Sequence, residues 1–447
     1  MQLRSLAVWI ACALALAGPA GAATLTVTDT GDAGDGTCDA SCTLRDAVDA
    51  AASDDRILFD LALPAPILIG LSGGALQIDV PLRITATDGV PTTIRRVVGL
   101  GRLLNVLAGA DVRIVGLGFE GGRHEALAGD TLGGAVWVAA GGALELRQCV
   151  FRDNRAMGNH GDLLVSPGRG VGGAIHADGD LLVDGCAFVD NQVAGGDGAA
   201  GSIPVQSGAA GWGGAISATG LVDILNSTFH DNVVRGGAGA SAGSLPPGFP
   251  PIAGGNGGDA FGAALYFGPT ATATVAFSTL IGNTASGGSG GSGSPGDPAG
   301  TPGSTGQMLG AAIASEGATV LNVSAVGGNA GNFDCGTRGA GTLTARTTNA
   351  GDDGSCPGLF VPALVAQFQP IDALAASPHY QPLPDAAVVD AAPDCLDAVA
   401  FEAVDFDQLL TPRPLTVYAP AGRCDIGAIE LNPVLFGDGF EEPPPPP

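Results

Sequence analysis

The sequence predicts an all-β solenoid, a parallel β-helix, and three observations carry that reading. A two-part motif recurs along the chain, the apolar runs between its copies are short, and glycine supplies 74 of 447 residues while apolar residues still reach 45%. Collagen is excluded because the glycines keep no strict triplet period, and simple disorder is excluded by the apolar content.

The motif opens Gly133-Gly134-Ala135-Val136 and closes Phe151-Arg152-Asp153-Asn154. It returns as Gly172-Gly173-Ala174-Ile175 with Phe188-Val189-Asp190-Asn191, and as Gly213-Gly214-Ala215-Ile216 with Phe229-His230-Asp231-Asn232. Looser copies start at Gly262 and Gly310 and end at Asn283 and Asn329. From first Gly to Asn the distance is 19 to 21 positions, whereas successive copies start 39 to 49 apart. A stack of coils behaves this way: strands must stay in register while insertions leave from the turns. Runs such as Leu144-Glu145-Leu146 and Leu181-Leu182-Val183 are too brief for long helices and suit strands of three-sided coils. Phe151, Phe188 and Phe229 should then form an internal column, and Asn154, Asn191 and Asn232 a turn ladder. Each Gly-Gly-Ala marks a strand entry needing positive φ or room for a close neighbour.

Around this core the chain divides into a signal peptide (1–22), an N-terminal cap (23–56), the β-helix (57–330), C-terminal coils with a disulfide-closed cap (331–432) and an acidic, polyproline tail (433–447). The signal shows Arg4, an apolar stretch and Ala20-Gly21-Ala22; Cys12 inside it also admits a lipoprotein reading. No later segment reads as transmembrane. In the cap, Thr43 and Asp46 form a capping box ahead of a helix that would turn Leu44, Ala47, Val48 and Ala51 onto the first coil. Early strands fall near Ile57-Phe59, Ile67-Ile69, Leu82-Ile84 and Leu103-Val106. Gly/Ser/Pro-rich inserts at 195–211, 236–260 and 286–309 read as flexible loops without a packed core.

Eight cysteines remain beyond Cys12, an even number that suggests disulfides in an exported chain. Cys38 with Cys42, Cys335 with Cys356 and Cys395 with Cys424 pair by proximity, the longer two loops being worth on the order of 3 to 4 kcal/mol each. Cys149 and Cys186 hold equivalent positions on neighbouring coils, and a bond between them is expected over a thiol ladder.

Net charge is −26 with no lysine, which argues against a nucleic-acid partner and disfavours bare anionic glycans. Asp153, Asp190 and Asp231 recur beside the ladder Asn. Repetition argues for turn chemistry and against catalysis, which needs one arrangement at one place; a Ca2+ bridge along this column is a third option. Arg152 and Arg155 are the nearest lyase-type bases and have no readable partner constellation. His230 reads as solvent-facing, and His124, His160, His176 and His379 read as isolated surface residues. Trp137 and Trp212, the tryptophans beyond Trp9, do not read as a paired sugar platform. No residue is therefore assigned a catalytic, cofactor-binding or metal-binding role.

The paired G-G-A-[I/V] and F-x-x-N signatures resemble the repeats of chlamydial polymorphic outer membrane proteins, β-helical surface adhesins. Cys42-Thr43-Leu44-Arg45-Asp46-Ala47 resembles the C-S-L-R-E-A start of a broader set of exported β-helix proteins, and Cys424-Asp425-Ile426-Gly427-Ala428-Ile429-Glu430 their C-D-I-G-A-Y-E ending. The resemblance implies a single-stranded right-handed parallel β-helix of the pectin-lyase type, with an N-terminal helical cap and long Gly-rich loop inserts. It also implies export to the cell surface or medium. The chlamydial proteins finish in a translocating barrel, whereas Gly437-Asp438-Gly439-Phe440-Glu441 and five prolines stand here. Two functions follow as expectations: non-catalytic surface attachment or envelope and matrix structure, with glycans or proteins as partners, and alternatively a polysaccharide lyase or glycoside hydrolase with its site on the solenoid flank.

Overall fold

The computed structural model describes residues 22–61, 66–201, 204–244, 246, 249–393, 395–396, 404–413 and 423–431. The stretch expected to be a signal peptide, up to residue 21, and the tail from 433 lie outside the described residues. No described helix is long and apolar enough to cross a membrane.

The chain is a parallel β-helix. Two ten-stranded sheets run along it: sheet I from Thr24–Val27 to Thr342–Ala345, and sheet II from Ile67–Leu71 to Leu359–Phe360. Two five-stranded sheets, III (starting at Arg123–Glu125) and IV (starting at Thr131–Leu132), and the eight-stranded sheet V (Leu76–Ile78 to Cys335–Thr337) complete the wall. A middle coil therefore visits five short strands, not three. It passes from Val136–Val138 in V to Ala143–Arg147 in I, Val150–Arg152 in II and Arg155–Met157 in III. Gly170–Val171 in IV then leads into the next coil. All the ladders are parallel and in register, so Phe151 lies on Phe188 and Phe188 on Phe229.

That register makes identical residues stack. Phe119, Phe151, Phe188 and Phe229 form a buried column with ring centroids 4.7 to 4.9 Å apart. At the next corner the expected ladder exists and extends to Asn329: each Asn Oδ1 accepts the N–H and side-chain amide of the preceding rung. Asn191 Nδ2 also donates to the Phe151 carbonyl at 3.0 Å. The bend would otherwise leave these backbone groups buried without partners. Gly133, Gly172, Gly213, Gly262 and Gly310 open their motifs at φ between +60 and +68°.

A second ladder explains why Cys149 and Cys186 are free, buried thiols and not the expected bond. The Cys149 N–H donates to Cys186 Sγ at 3.3 Å, the Cys186 N–H to Ser227 Oγ, and the series continues through Ser278 and Ser324 to Asn349. Each side chain is turned toward the backbone of the preceding coil, and serine substitutes for cysteine because only an acceptor is needed. Burial pushes the Cys186 thiol up, which keeps it protonated and unreactive.

The three Gly-rich inserts overturn the flexible-loop expectation. Their legs are hydrogen-bonded to one another: Gly237 N–H donates to the Ala209 carbonyl, Gly258 to Gly237, Gly288 to Gly258 and Gly306 to Gly288, at 2.8 to 2.9 Å. Within the third insert the donors Gly288, Gly291 and Ser294 recur every third residue, as do Gly306, Gly303 and Gly300 on the return leg. This is the threefold period of an extended polyproline-II-type chain. Neighbouring legs approach so closely that a Cβ on Gly237 would collide with the Gly196 carbonyl oxygen, and one on Gly258 with that of Ala209. Glycine serves here to let backbones touch, and the result is an ordered brace on one flank.

The ends are held differently. In front, Thr24–Val27 pairs with Asp55–Phe59, and the helix Leu44–Ala50 carries the capping box, its Leu44, Ala47 and Val48 buried. Disulfides join Cys38 to Cys42, Cys335 to Cys356 and Cys395 to Cys424. From 361 onward the described residues add no coil; they turn back along the outer face of sheet II as a strap, contacting Arg152, His230 and Thr228. Asn191→Ala should remove the acceptor of the Asn154 N–H, one of the two bonds of the Asn154 side-chain amide and the side-chain donor to the Phe151 carbonyl, and cost about 3 kcal/mol in urea unfolding. Gly258→Ala should raise hydrogen exchange in the insert legs 195–211, 236–260 and 286–309 and leave the Phe column protected.

Candidate functional site

The turn acids are turn residues. Asp153, Asp190 and Asp231 sit at φ 53, 57 and 51°, and the next two copies place Gly282 and Gly328 there, at 80 and 63°. Asp and Gly are residues that tolerate this left-handed conformation. Asp153 pairs with Arg155 at 2.9 Å, and Arg152 reaches across to the Ala373 carbonyl of the strap. Burial and then the neighbouring Asp231 raise the Asp190 carboxyl. Among the described residues, the group of three acids with oxygens close enough to share a cation is Asp390, Asp425 and Glu430, away from this column.

That trio belongs to the strap, and it shows what the Cys424–Glu430 motif does. Asp425 accepts the N–H groups of Asp390 and Leu431 at 2.7 and 2.6 Å, and Glu430 meets the fully buried Arg413 at 2.8 Å. The Gly427 N–H donates to the Val323 carbonyl and the Ala428 N–H to Thr279 Oγ1, which seats the motif on the coils. Further along, Gln408 bridges Thr228 and the Pro378 carbonyl. His230 is therefore not solvent-facing. It stands in one column with Arg152 and Val189 as expected, its direct neighbours being Val189 and Ile281, but the strap lies on that face, leaving the side chain 14% exposed and Tyr380 Oη 2.8 Å from Nδ1. The uncovered part of the face keeps a groove of about 370 Å³ lined by Leu68, Thr93, Gly118, Val150 and Leu374.

The unrepeated cluster lies elsewhere, in the corner where sheets IV and V meet. Down sheet V the outward residues are Asn105, Trp137, His176, Ser217 and Tyr266; down sheet IV they are Leu132, Val171, Trp212 and Phe261. Asp178 organises the first row: it accepts from His176 Nε2 at 3.2 Å, Trp137 Nε1 at 3.1 Å and Thr219 Oγ1 at 3.3 Å. The His176 bond and its partner charge, working against burial, hold the Asp178 carboxyl down at about 2. Trp212 stacks on Tyr266 with centroids 5.0 Å apart, and the Arg169 guanidinium lies 4.2 Å over the Trp212 ring while bonded to Asp130. Arg102 covers Trp137 at 5.5 Å, and burial lowers it to about 10. Burial, with Arg102 nearby, also lowers His124 to about 4.

This corner corrects two expectations. His176 is a buried residue with a carboxylate partner, and His124 is partly buried beside Arg102 with Nδ1 on the Leu132 carbonyl, so neither is an isolated surface residue. Ser217, Tyr266, Arg102 and Arg169 belong to no motif in the sequence. A signal does exist, because the position after G-G-A-[I/V] reads Trp137, His176, Ser217, Tyr266 down the copies. Of the other histidines, His160 is exposed near Asp197, and His379 contacts the Ser377 carbonyl.

No family model and no curated protein matches the chain. Among solved structures, the crystal structure of pectate lyase Pel9A aligns over 92% of this chain and 96% of its own, at 10% identity and a TM-score of 0.39.

The strap should respond to pH. Burial raises Asp425 to about 6 and Glu430 to about 7, above their ordinary values of 3.8 and 4.5. The folded strap thus binds more protons than the unfolded chain between about pH 4 and 7, and its stability is full below that window and falls as pH rises through it. Limited proteolysis of 361–431 should be faster at pH 7.5 than at pH 5, and Glu430→Gln should flatten the difference.

Proposed function

We propose that the chain is an exported, non-catalytic β-helix that serves attachment or envelope and matrix structure. The observation that carries this reading is the brace. Three inserts spanning 195–309 are laid down as mutually hydrogen-bonded glycine legs, a use of chain that broadens and stiffens the solenoid. The repeated acids, the natural places to look for hydrolytic carboxylates, are occupied with turning the chain. Export accords with the three disulfides and with the acidic, lysine-free composition.

A carbohydrate-active enzyme is the second reading, favoured by one observation: the corner's His176–Asp178 pair beside two tryptophans is not repeated along the stack. The two readings separate in one assay. Purified protein is incubated with cell envelopes and with a panel of neutral and acidic polysaccharides, and both retention and new reducing or unsaturated ends are followed. Retention on envelopes or polysaccharide with no new ends is the expected result. Release of new ends that His176→Ala abolishes would transfer the function to the enzyme class.

A further inference from the structure

Among the described residues, three polar atoms in the corner have no partner although they are buried: His176 Nδ1, Ser217 Oγ and Trp212 Nε1. They are neighbours. His176 and Ser217 face each other across adjacent strands of sheet V, Ser217 precedes Tyr266 in the same row, and Tyr266 stacks on Trp212. His176 is 6% exposed and Ser217 1%, so solvent does not reach these atoms freely. A buried donor or acceptor left alone costs about 1 to 3 kcal/mol, and three in one place mark a site built for something that bonds to them.

The chemistry of the corner narrows what that is. With Nε2 bonded to Asp178, His176 Nδ1 accepts a ligand hydrogen bond when the ring is neutral and donates one when it is protonated. Trp212 offers a donor, and Ser217 can do either. The cover over Trp212 is exchangeable: the Arg169 guanidinium lies on the ring and is tied to a half-exposed Asp130, an arrangement worth about 1 kcal/mol. The charges around it come in closed pairs, Arg169 with Asp130, His176 with Asp178 and Arg338 with Glu316. Arg102, beside them, donates from Nε to the Leu132 and Gly133 carbonyls and from Nη1 to Asn105 Oδ1. A ligand with an apolar face, mixed donor and acceptor hydroxyls and no net charge meets all of these conditions.

We propose that the corner between sheets IV and V binds a neutral saccharide. One ring lies on Trp212 in the place of the Arg169 guanidinium, and its hydroxyls bond Ser217 Oγ, His176 Nδ1 and Trp212 Nε1. The proposal rests on the attachment reading and gives it a location and a ligand class.

The test uses the full mature chain carrying Trp137→Phe, which leaves Trp212 as its sole tryptophan once residue 9 is removed with the signal. Neutral hexaoses of glucose, galactose and mannose, and hexagalacturonate as the acidic control, are titrated while Trp212 emission is followed. Calorimetry on the unsubstituted protein accompanies it. A saturable change in Trp212 emission with a neutral hexaose and not with the acidic one is expected. Ser217→Ala should weaken that binding about tenfold, and Arg169→Ala should strengthen it about two- to fivefold by uncovering the ring. A merely structural corner would show neither opposing shift. If the protein is retained on envelopes while these variants bind as the parent does, attachment stands and this site is overturned. If a crystal structure with the hexaoses shows one ordered water joining the three atoms and no sugar, the site is likewise overturned. Failure of retention together with silent titrations removes both readings.

Discussion

Each strand of this protein draws its hydrogen bonds from the coils before and after it. Because the partner is always the same stretch of the neighbouring turn, a residue that points inward must tolerate a copy of itself about 4.8 Å away. Planar rings, carboxamides that donate and accept at once, and small hydroxyl or thiol groups meet that condition, and these fill the Phe column, the Asn ladder and the Cys–Ser ladder. The same constraint acts at the strand entries, where only glycine accepts both the positive φ and the nearness of the next turn.

The division between what the sequence revealed and what it hid follows from this constraint. Inward positions recur at a nearly constant offset within each copy, with Phe always three residues before Asn in the three full copies, so the coil, its Phe and its Asn are legible in the chain itself. Outward positions are under no such rule. His176, Ser217 and Tyr266 occupy one column and share no chemistry, so nothing in a single copy marks them. Trp212 comes from a different sheet and reaches the corner only because the Gly213 turn folds sheet IV toward sheet V. The strap was hidden for another reason: 361–431 has no repeat, and it is seated by contacts far back along the chain, such as Tyr380 with His230 and Gln408 with Thr228, 150 and 180 positions earlier.

Composition misled in the inserts. Glycine raises the entropy of an isolated chain, so a run of Gly and Ser reads as a flexible tether. The spacing carried the opposite message. Gly287, Gly290 and Gly293 face Gly306, Gly303 and Gly300, and a threefold spacing is what close-packed extended legs demand. Serine fills the solvent-facing third position of the outgoing leg, at Ser286, Ser289 and Ser292. The cysteine pair misled likewise, since two thiols at one repeat position suggest a bond until serine is seen to hold that position on the coils that follow.

The brace has a thermodynamic character of its own. The solenoid is stabilised by burying Phe, Ile, Leu and Val, and that contribution weakens on cooling because apolar hydration carries a large heat capacity. The glycine legs bury almost no side chain. They are joined by amide hydrogen bonds and backbone contact, and exposing such polar surface lowers the heat capacity of unfolding instead of raising it. Their stability therefore varies gently with temperature. In the cold, where the coils lose part of their advantage, the flank bearing the brace is the part of the molecule that loses least.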